Sequence, residues 1–193
     1  MSSPRSYHHG DLSPALRTQA LLFIREQGIA ALSLRKLADS IGVSAPAIYH
    51  HYRNKEDLLR ALALTGLERF NQEIYPLLLA TPPNWQENYR RFAHAYLDFA
   101  RQDPELYELM FGRTLWKSPG DDDYKQAARQ TFRRYCEALL HLLPPLPQPI
   151  RLAQMGWATL HGLAHMLNDG LAFRPEDLQD IADYAVNWLA LRL

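Results

Sequence analysis

The stretch from Ser33 to Leu59, SLRKLADSIGVSAPAIYHHYRNKEDLL, constrains this chain most. It reads as two short helices joined by a tight turn, followed by the capped start of a third. Ser33 can cap a helix beginning at Leu34, because its hydroxyl accepts an otherwise orphan backbone N–H. Leu34, Leu37, Ala38 and Ile41 recur at helical spacing and form one apolar face, with Arg35, Lys36 and Asp39 opposite. Gly42 stands where the chain must reverse, and a left-handed backbone costs glycine little. Val43 plugs the gap between the two helices. Ser44 is placed to cap the second, with Pro46 in its first turn where no N–H is needed. Ile48 and Tyr52, four apart, face inward. Asn54 caps the third helix, with Glu56 and Asp57 in its electropositive first turn. This is a helix-turn-helix, the arrangement that presents a short helix to the DNA major groove.

The rest of the chain reads as helix throughout. A first helix from near Asp11 to Gln27 is stopped by Gly28, and its Leu16, Ala20, Phe23 and Ile24 pack on the helix-turn-helix. Helices follow at about 34–41 and 45–51. A long one at about 55–80 joins the reader to the body and ends at Pro82-Pro83. Asn84 caps a helix to about Gln102, and Pro104 opens a short one through Phe111. Residues 112–120 read as a loop carrying Trp116, and Asp121-Asp122-Asp123 start a helix to about Leu143. After the proline-rich run 144–149 come two final helices, about 150–169 and 176–191. No segment alternates with period two. The expectation is an all-α protein of about nine helices. Residues 1–54 are expected to form a three-helix DNA reader, and 55–193 a helical body.

Charge supports this division. The first sixty residues hold eight Lys and Arg against five Asp and Glu, and the remainder thirteen against sixteen. A basic end on an acidic body suits a protein that shows one end to phosphates. Nothing approaches the roughly twenty apolar residues of a membrane span, and the N-terminus has no apolar leader core. The expected location is the cytoplasm, with no membrane partner. Cys136, the single cysteine, excludes an internal disulfide and reads as a buried core thiol among Phe132, Tyr135, Leu139 and Leu140. There is no nucleophile–base arrangement, glycine-rich phosphate loop or carboxylate pair, which argues against an enzyme. A helical enzyme or small-molecule carrier remains the alternative. His161 and His165, four apart on one helix face, could grip a metal, yet no third ligand of suitable spacing accompanies them. No metal or other cofactor is expected.

From about Arg17 to Leu62 the chain resembles the TetR family of transcriptional regulators. The likeness rests on the Gly42-Val43-Ser44 turn, the Tyr49-His50-His51-Tyr52 run and the Asn54-Lys55-Glu56-Asp57-Leu58-Leu59 cap. The opening Tyr7-His8-His9-Gly10-Asp11-Leu12 looks like one branch of that family. Trp157 with His161-Gly162 is similar to the Trp-His-Gly type of C-terminal domain. The resemblance implies DNA contacts from Ala45, Pro46, Ala47, Tyr49 and His50. The first three cannot hydrogen-bond a base edge through their side chains, but can pack on thymine methyls. His51, Ser33, Arg35 and Ser44 add phosphate or base contacts, and Lys55 offers a point charge beside the amides of a helix N-terminus.

The resemblance further implies a homodimer formed by the last two helices, reading a two-fold related, palindromic double-stranded operator. Leu152, Met155, Gly156, Thr159, Leu163 and Leu167 on one helix, and Ile181, Tyr184, Trp188 and Arg192 on the other, supply that seam. An intrachain core is the competing reading. Gly156 and Gly162 each weaken a helix by about 1 kcal/mol relative to Ala, which makes sense where a second helix approaches closely. The resemblance also implies a small-molecule pocket in the body. Its candidates are Tyr89, Phe92, Tyr96 and Phe99, then Tyr107, Met110, Phe111 and Trp116, then Phe132, Trp157 and His161. Such walls suit a mostly apolar or aromatic effector, although each residue could equally be plain core. The implied function is a ligand-released repressor, and the residues do not separate repression from activation.

Overall fold

A computed structural model describes residues 12–81, 84–118, 122–143, 145, 148–171, 174 and 177–190. Among the described residues there are helices and turns and no strands. Nine α-helices of seven residues or more are joined by a one-turn helix and a 3-10 turn, in the order α1 (Leu12–Ala31), α2 (Leu34–Ile41), α3 (Ala45–His51), α4 (Lys55–Glu73), the 3-10 turn Tyr75–Leu77, α5 (Trp85–Gln102), α6 (Pro104–Phe111), α7 (Arg113–Trp116), α8 (Asp123–Leu142), α9 (Pro149–Asn168) and α10 (Leu178–Ala190). No described helix is long and apolar enough to cross a membrane.

The helix boundaries follow local chemistry. Gly28 breaks α1 at φ 81°, so the regular helix stops where the sequence predicts, and a last turn resumes beyond it. Ser33 accepts the Lys36 N–H, Asn54 that of Asp57, and Asn84 that of Glu87. Asp103 and Asp122 cap α6 and α8 in the same way. Gly42 adopts φ 70°, and its N–H returns to the Ala38 and Asp39 carbonyls, closing α2.

Three expectations are corrected. The helix after Asn54 ends at Glu73, not near residue 80, because Pro76 brings no amide to an i→i−4 bond and the chain tightens into the 3-10 turn. Trp116 lies on the helical turn α7, not in a loop. Ser44 makes no capping bond: Pro46 has no N–H to offer, and the Ala47 N–H is taken by the Ser44 carbonyl at 3.0 Å. Residues 1–11, Pro82-Pro83, Asp121 and three residues of the proline-rich run, 144, 146 and 147, lie outside the described residues.

α4 is the central pillar. Leu58, Leu59, Leu62, Ala63, Gly66, Leu67 and Phe70 are all buried along it, and it packs on α1, α6, α7 and α8. α6 lies so close that a Cβ on Gly66 would meet Met110 Sδ at 2.6 Å and Leu106 Cδ1 at 2.9 Å. α5 packs on α9 and α10. Phe70 projects into the body, where its ring meets those of Tyr96, Phe99 and Phe111 edge-on at 5.4, 5.4 and 5.8 Å.

The buried tyrosines satisfy one another. Tyr96 and Tyr107 hydroxyls lie 2.9 Å apart, and those of Tyr89 and Tyr135 3.2 Å apart. The second pair sits beneath Gly156, where a Cβ would fall 2.5 and 2.6 Å from the two hydroxyls. Gly156 therefore makes room for its own protomer's tyrosines, not for a partner helix. Gly156→Ala must break or displace that hydrogen-bonded pair. The strain should outweigh the gain in helix propensity for a net loss of about 1 kcal/mol, read as a Tm lower by roughly 2–4 °C in thermal melts.

Candidate DNA-reading face and effector cavity

α3 is short and buries only Ile48 on its inner side, with Tyr52 at its C-cap bonded to Ser13 Oγ at 3.2 Å. That bond ties the reading helix to the start of α1. Pro46, Tyr49 and His50 are exposed, Tyr49 at 47 %. Ala45, Ala47 and His51 are half-buried, the two alanines against the core. Ser44 and Arg35 are exposed, while the Ser33 hydroxyl oxygen already serves as a cap. The outward set at this end is thus Arg35, Ser44, Pro46, Tyr49 and His50. Lys55 behaves differently. Its ammonium donates to the Ile29 and Ala30 carbonyls at 2.5 and 3.2 Å, closing the end of α1. Burial, with Lys36 adding a like charge, lowers its pKa. The Lys55 side chain is thus held by the carbonyls at the end of α1.

The body contains a cavity of about 550 Å³ between α6, α7, α8 and α9. Of the residues anticipated from sequence, Phe111, Trp116, Phe132, Trp157 and His161 line it. Tyr89, Phe92, Tyr96, Phe99, Tyr107 and Met110 do not. They are at most 3 % exposed and form the packed layer around it, the aromatic stripe of α5 being consumed against Phe70 of α4, Tyr135 of α8 and Trp157 of α9. Sequence reasoning missed the contribution of α8, where Ala128, Arg129, Arg133 and Cys136 join Phe132. Spacing of three and four residues from Phe132 would have found Ala128, Arg129 and Cys136. Cys136 is accordingly half-buried in the cavity wall, not a core thiol, and burial raises its pKa.

His161 links the wall to the tyrosine layer. Its Nδ1 lies 2.6 Å from the Tyr107 hydroxyl and 3.4 Å from that of Tyr96, and its Nε2 lies 3.2 Å from His165 Nε2. Burial, then the neighbouring His165, pushes its pKa down to about 4. The Tyr107 hydroxyl is pushed the other way by burial and keeps its proton. If the Tyr107 hydroxyl donates its hydrogen bond to Nδ1 of neutral His161, the imidazole carries its own proton on Nε2, facing His165. Among the described residues no group of three or more His, Cys, Asp or Glu could hold a metal.

On the outer side of α9 and α10, Thr159, Leu163, Ile181, Tyr184 and Trp188 border a groove of about 300 Å³. Tyr184 and Met155 are 75 % and 52 % exposed, and Leu152 is half-buried. Two residues expected at this seam turn inward: Gly156 and Leu167 are buried in the protomer. Arg192 lies outside the described residues.

Two polar ties join α1 and α4 to α6 and to the segment between α7 and α8. Arg25 on α1 clamps Asp103, the buried cap of α6, through Nε at 3.2 Å and through its second nitrogen. Arg60 on α4 donates to Ser118 Oγ at 2.7 Å, pairs with Asp122 at 2.8 Å, and also pairs with Glu56 and Asp57. Ser118 follows α7, so the wall residue Trp116 stands two positions from a group held by α4.

Comparison with known proteins agrees with this geometry. Residues 18–62 match the model of bacterial regulatory proteins of the tetR family, and residues 89–189, half of the chain, match a tetracyclin repressor-like C-terminal domain. The chain belongs to the TetR family. That family consists of transcription regulators, not enzymes. The class D tetracycline repressor of Escherichia coli is 38% identical over 77 residues, 40% of this chain and 34% of that protein. The chain thus spans about a third of the curated relative's length. A protein of unknown function from Rhodococcus sp. RHA1 superposes with TM-score 0.81 at 26% identity, covering 96% of this chain and 97% of that one. The SmeT–triclosan complex shares the fold, with TM-score 0.64 at 19% identity over 93% of this chain and 90% of that one.

The placement of Lys55 separates two kinds of variant in this TetR-family chain. Lys55→Ala uncovers the α1 carbonyls and should lower stability by about 1 kcal/mol. Tyr49→Ala should stay within about 0.5 kcal/mol of the parent. Calorimetric melts of the two distinguish them.

His161 predicts an acid-side loss. Its folded pKa of about 4 lies below the ordinary 6.5, so the unfolded chain takes up a proton that the folded chain refuses. Its contribution is whole above 6.5 and lost as pH falls toward 4. In His161→Gln, the shift in urea midpoint between neutral and acidic buffer should be smaller than in the parent.

Proposed function

We propose that this protein is a homodimeric, effector-responsive transcriptional repressor that binds a palindromic operator and is released by a small, mostly apolar or aromatic molecule. The observation that carries the reading is the Arg60 tie. One side chain on the helix that follows the reader holds the segment after Trp116, a wall of the cavity. Filling the cavity displaces that wall, and α4 passes the displacement to α3. The effector does this only by binding the DNA-incompetent arrangement more tightly.

Residues 1–54 serve as the reader and 55–193 as the effector-binding and dimerisation body, in the cytoplasm where the operator lies. Tyr49, His50, Arg35 and Ser44 face the DNA, with Pro46, Ala45 and Ala47 against thymine methyls and His51 and Ser33 beside the phosphates. The exposed Met155, Tyr184 and Trp188, with Leu152, Thr159, Leu163 and Ile181 beside them, favour a partner's copy of α9 and α10, aromatic residues being common interface anchors. SmeT, a protein of this fold, was solved with triclosan, which supports a small-molecule occupant for the cavity.

The test is selection of binding sites from fragmented source-genome DNA by three proteins: the parent, Tyr49→Ala with His50→Ala, and Tyr184→Asp with Trp188→Asp. The parent should enrich a palindrome, with affinity falling steeply as salt rises. The first variant should lose it while remaining a dimer by light scattering, and the second should run as a monomer and lose it too. A folded parent dimer with no preferred site would overturn the reading.

A further inference from the structure

Two imidazoles on α9 approach each other in a way that DNA reading does not require. His161 and His165 stand one turn apart, and their Nε2 atoms lie 3.2 Å from each other, with ring centroids 4.6 Å apart and ring planes at 86°. Both residues are half-buried. A shared proton holds two neutral imidazole nitrogens at such a distance, and the same distance is the edge of a metal's coordination shell. In a tetrahedral site with bonds of about 2.0–2.1 Å, neighbouring nitrogens lie about 3.3–3.4 Å apart. The pair meets that bite to within about 0.2 Å with α9 unmoved.

The other ring nitrogen of His161 is already engaged. Nδ1 lies 2.6 Å from the Tyr107 hydroxyl, whose oxygen accepts a hydrogen bond as readily as it donates one. With Nδ1–H donated to Tyr107, Nε2 is the nitrogen that carries a lone pair toward His165, the arrangement common to metal-ligating histidines. The donor set also selects the ion. Imidazole suits zinc, nickel and copper, whereas magnesium and calcium want oxygen ligands. Among the described residues no third His, Cys, Asp or Glu completes a set. An open, exchangeable site does not need one, because water fills the remaining positions, unlike the closed four-ligand shell of a structural zinc.

We propose that His161 and His165 form an open site for a divalent transition-metal ion of the zinc, nickel and copper class, held by their two Nε2 atoms. The site stands independently of the DNA reader and of what occupies the cavity.

The test is titration calorimetry of the metal-free full chain with zinc(II) and nickel(II) chlorides alone, and with magnesium(II) as the hard-ion control. The parent, His165→Gln, His161→Gln and His141→Gln are compared, each checked for folding by its melt. His141, exposed in the last turn of α8, controls for adventitious binding to surface histidines. The parent should bind zinc or nickel at one site per protomer that magnesium does not fill. Either substitution on α9 should weaken that event about tenfold or more, and His141→Gln should leave it unchanged. Zinc should raise the Tm of the parent and not that of His165→Gln. His161→Gln also removes a partner of Tyr107, so if it fails to fold His165→Gln decides alone. A parent that binds neither zinc nor nickel, or a His165→Gln that binds them as the parent does, would overturn the proposal. Magnesium binding as tight as zinc would overturn it too, because imidazole nitrogens do not hold that ion.

Discussion

The burial of α4 on several sides is the constraint on which the rest depends. An amphipathic surface helix hides one stripe, but α4 hides Leu58, Leu59, Leu62, Ala63, Gly66, Leu67 and Phe70 against α1 on the reader side and α6, α7 and α8 on the body side. A helix enclosed in this way cannot shift without repacking both ends, because close-packed interiors transmit small displacements and do not absorb them. Gly66 sharpens the constraint, since the Leu106 and Met110 side chains occupy the space that a Cβ would take. Phe70 then fixes the far end by inserting a ring among Tyr96, Phe99, Phe111 and Trp157. The reader's position is thus written into the packing of the body.

The helix-turn-helix was legible in the sequence because each of its boundaries has a local cause. Ser33 and Asn54 cap by short-range bonds, and Gly42 takes the left-handed backbone that its position demands. Where the local cause was misjudged, the boundary moved. Ser44 has the right chemistry for a cap, yet Pro46 removes one amide and a main-chain bond claims the next. Pro76 shortened α4 although the double proline farther on looked the stronger stop. Trp116 gained a helical turn between Gly112 and Lys117 that no capping side chain announces.

The cavity was only half legible, for a different reason. A stripe such as Tyr89, Phe92, Tyr96 and Phe99 says that one face is buried, but not whether a neighbouring helix or an open space lies against it. On α5 the answer was helices, and on α8 and α9 it was partly space. Arg129 and Arg133 were missed because a charged residue on an amphipathic helix reads as a solvated face, and here that face borders the cavity. Gly156 was misread in the same way. The close approach it permits is real, but the group that approaches is the Tyr89 and Tyr135 hydroxyl pair of its own chain.

The tie of α1 to α6 and the tie of α4 to the segment between α7 and α8 differ in strength, and that difference bears on how the proposed switch can work. Asp103 is 3 % exposed, caps α6 and is clamped by Arg25, so releasing it would strand a buried carboxylate. Hydrogen bonds to a charged group are worth on the order of 2 kcal/mol each, and more when one partner is left unsatisfied. The carboxylates that face Arg60 are wetter, Asp122 at 26 % and Glu56 at 61 %, so each can turn to water when released, although the Arg60 Nε and Asp122 Oδ2 atoms are buried where they meet; the exposed Glu56 pair contributes about 0.2–1 kcal/mol. An effector shifts an equilibrium only by its differential affinity for the two states, which is itself a few kcal/mol at most in ordinary coupling. Breaking the Arg25–Asp103 clamp would consume that difference, whereas rearranging the Arg60 fork leaves most of it available. The geometry therefore favours a movement in which α1 and α6 stay together as the pivot, and α7 with the start of α8 slides past the first turns of α4.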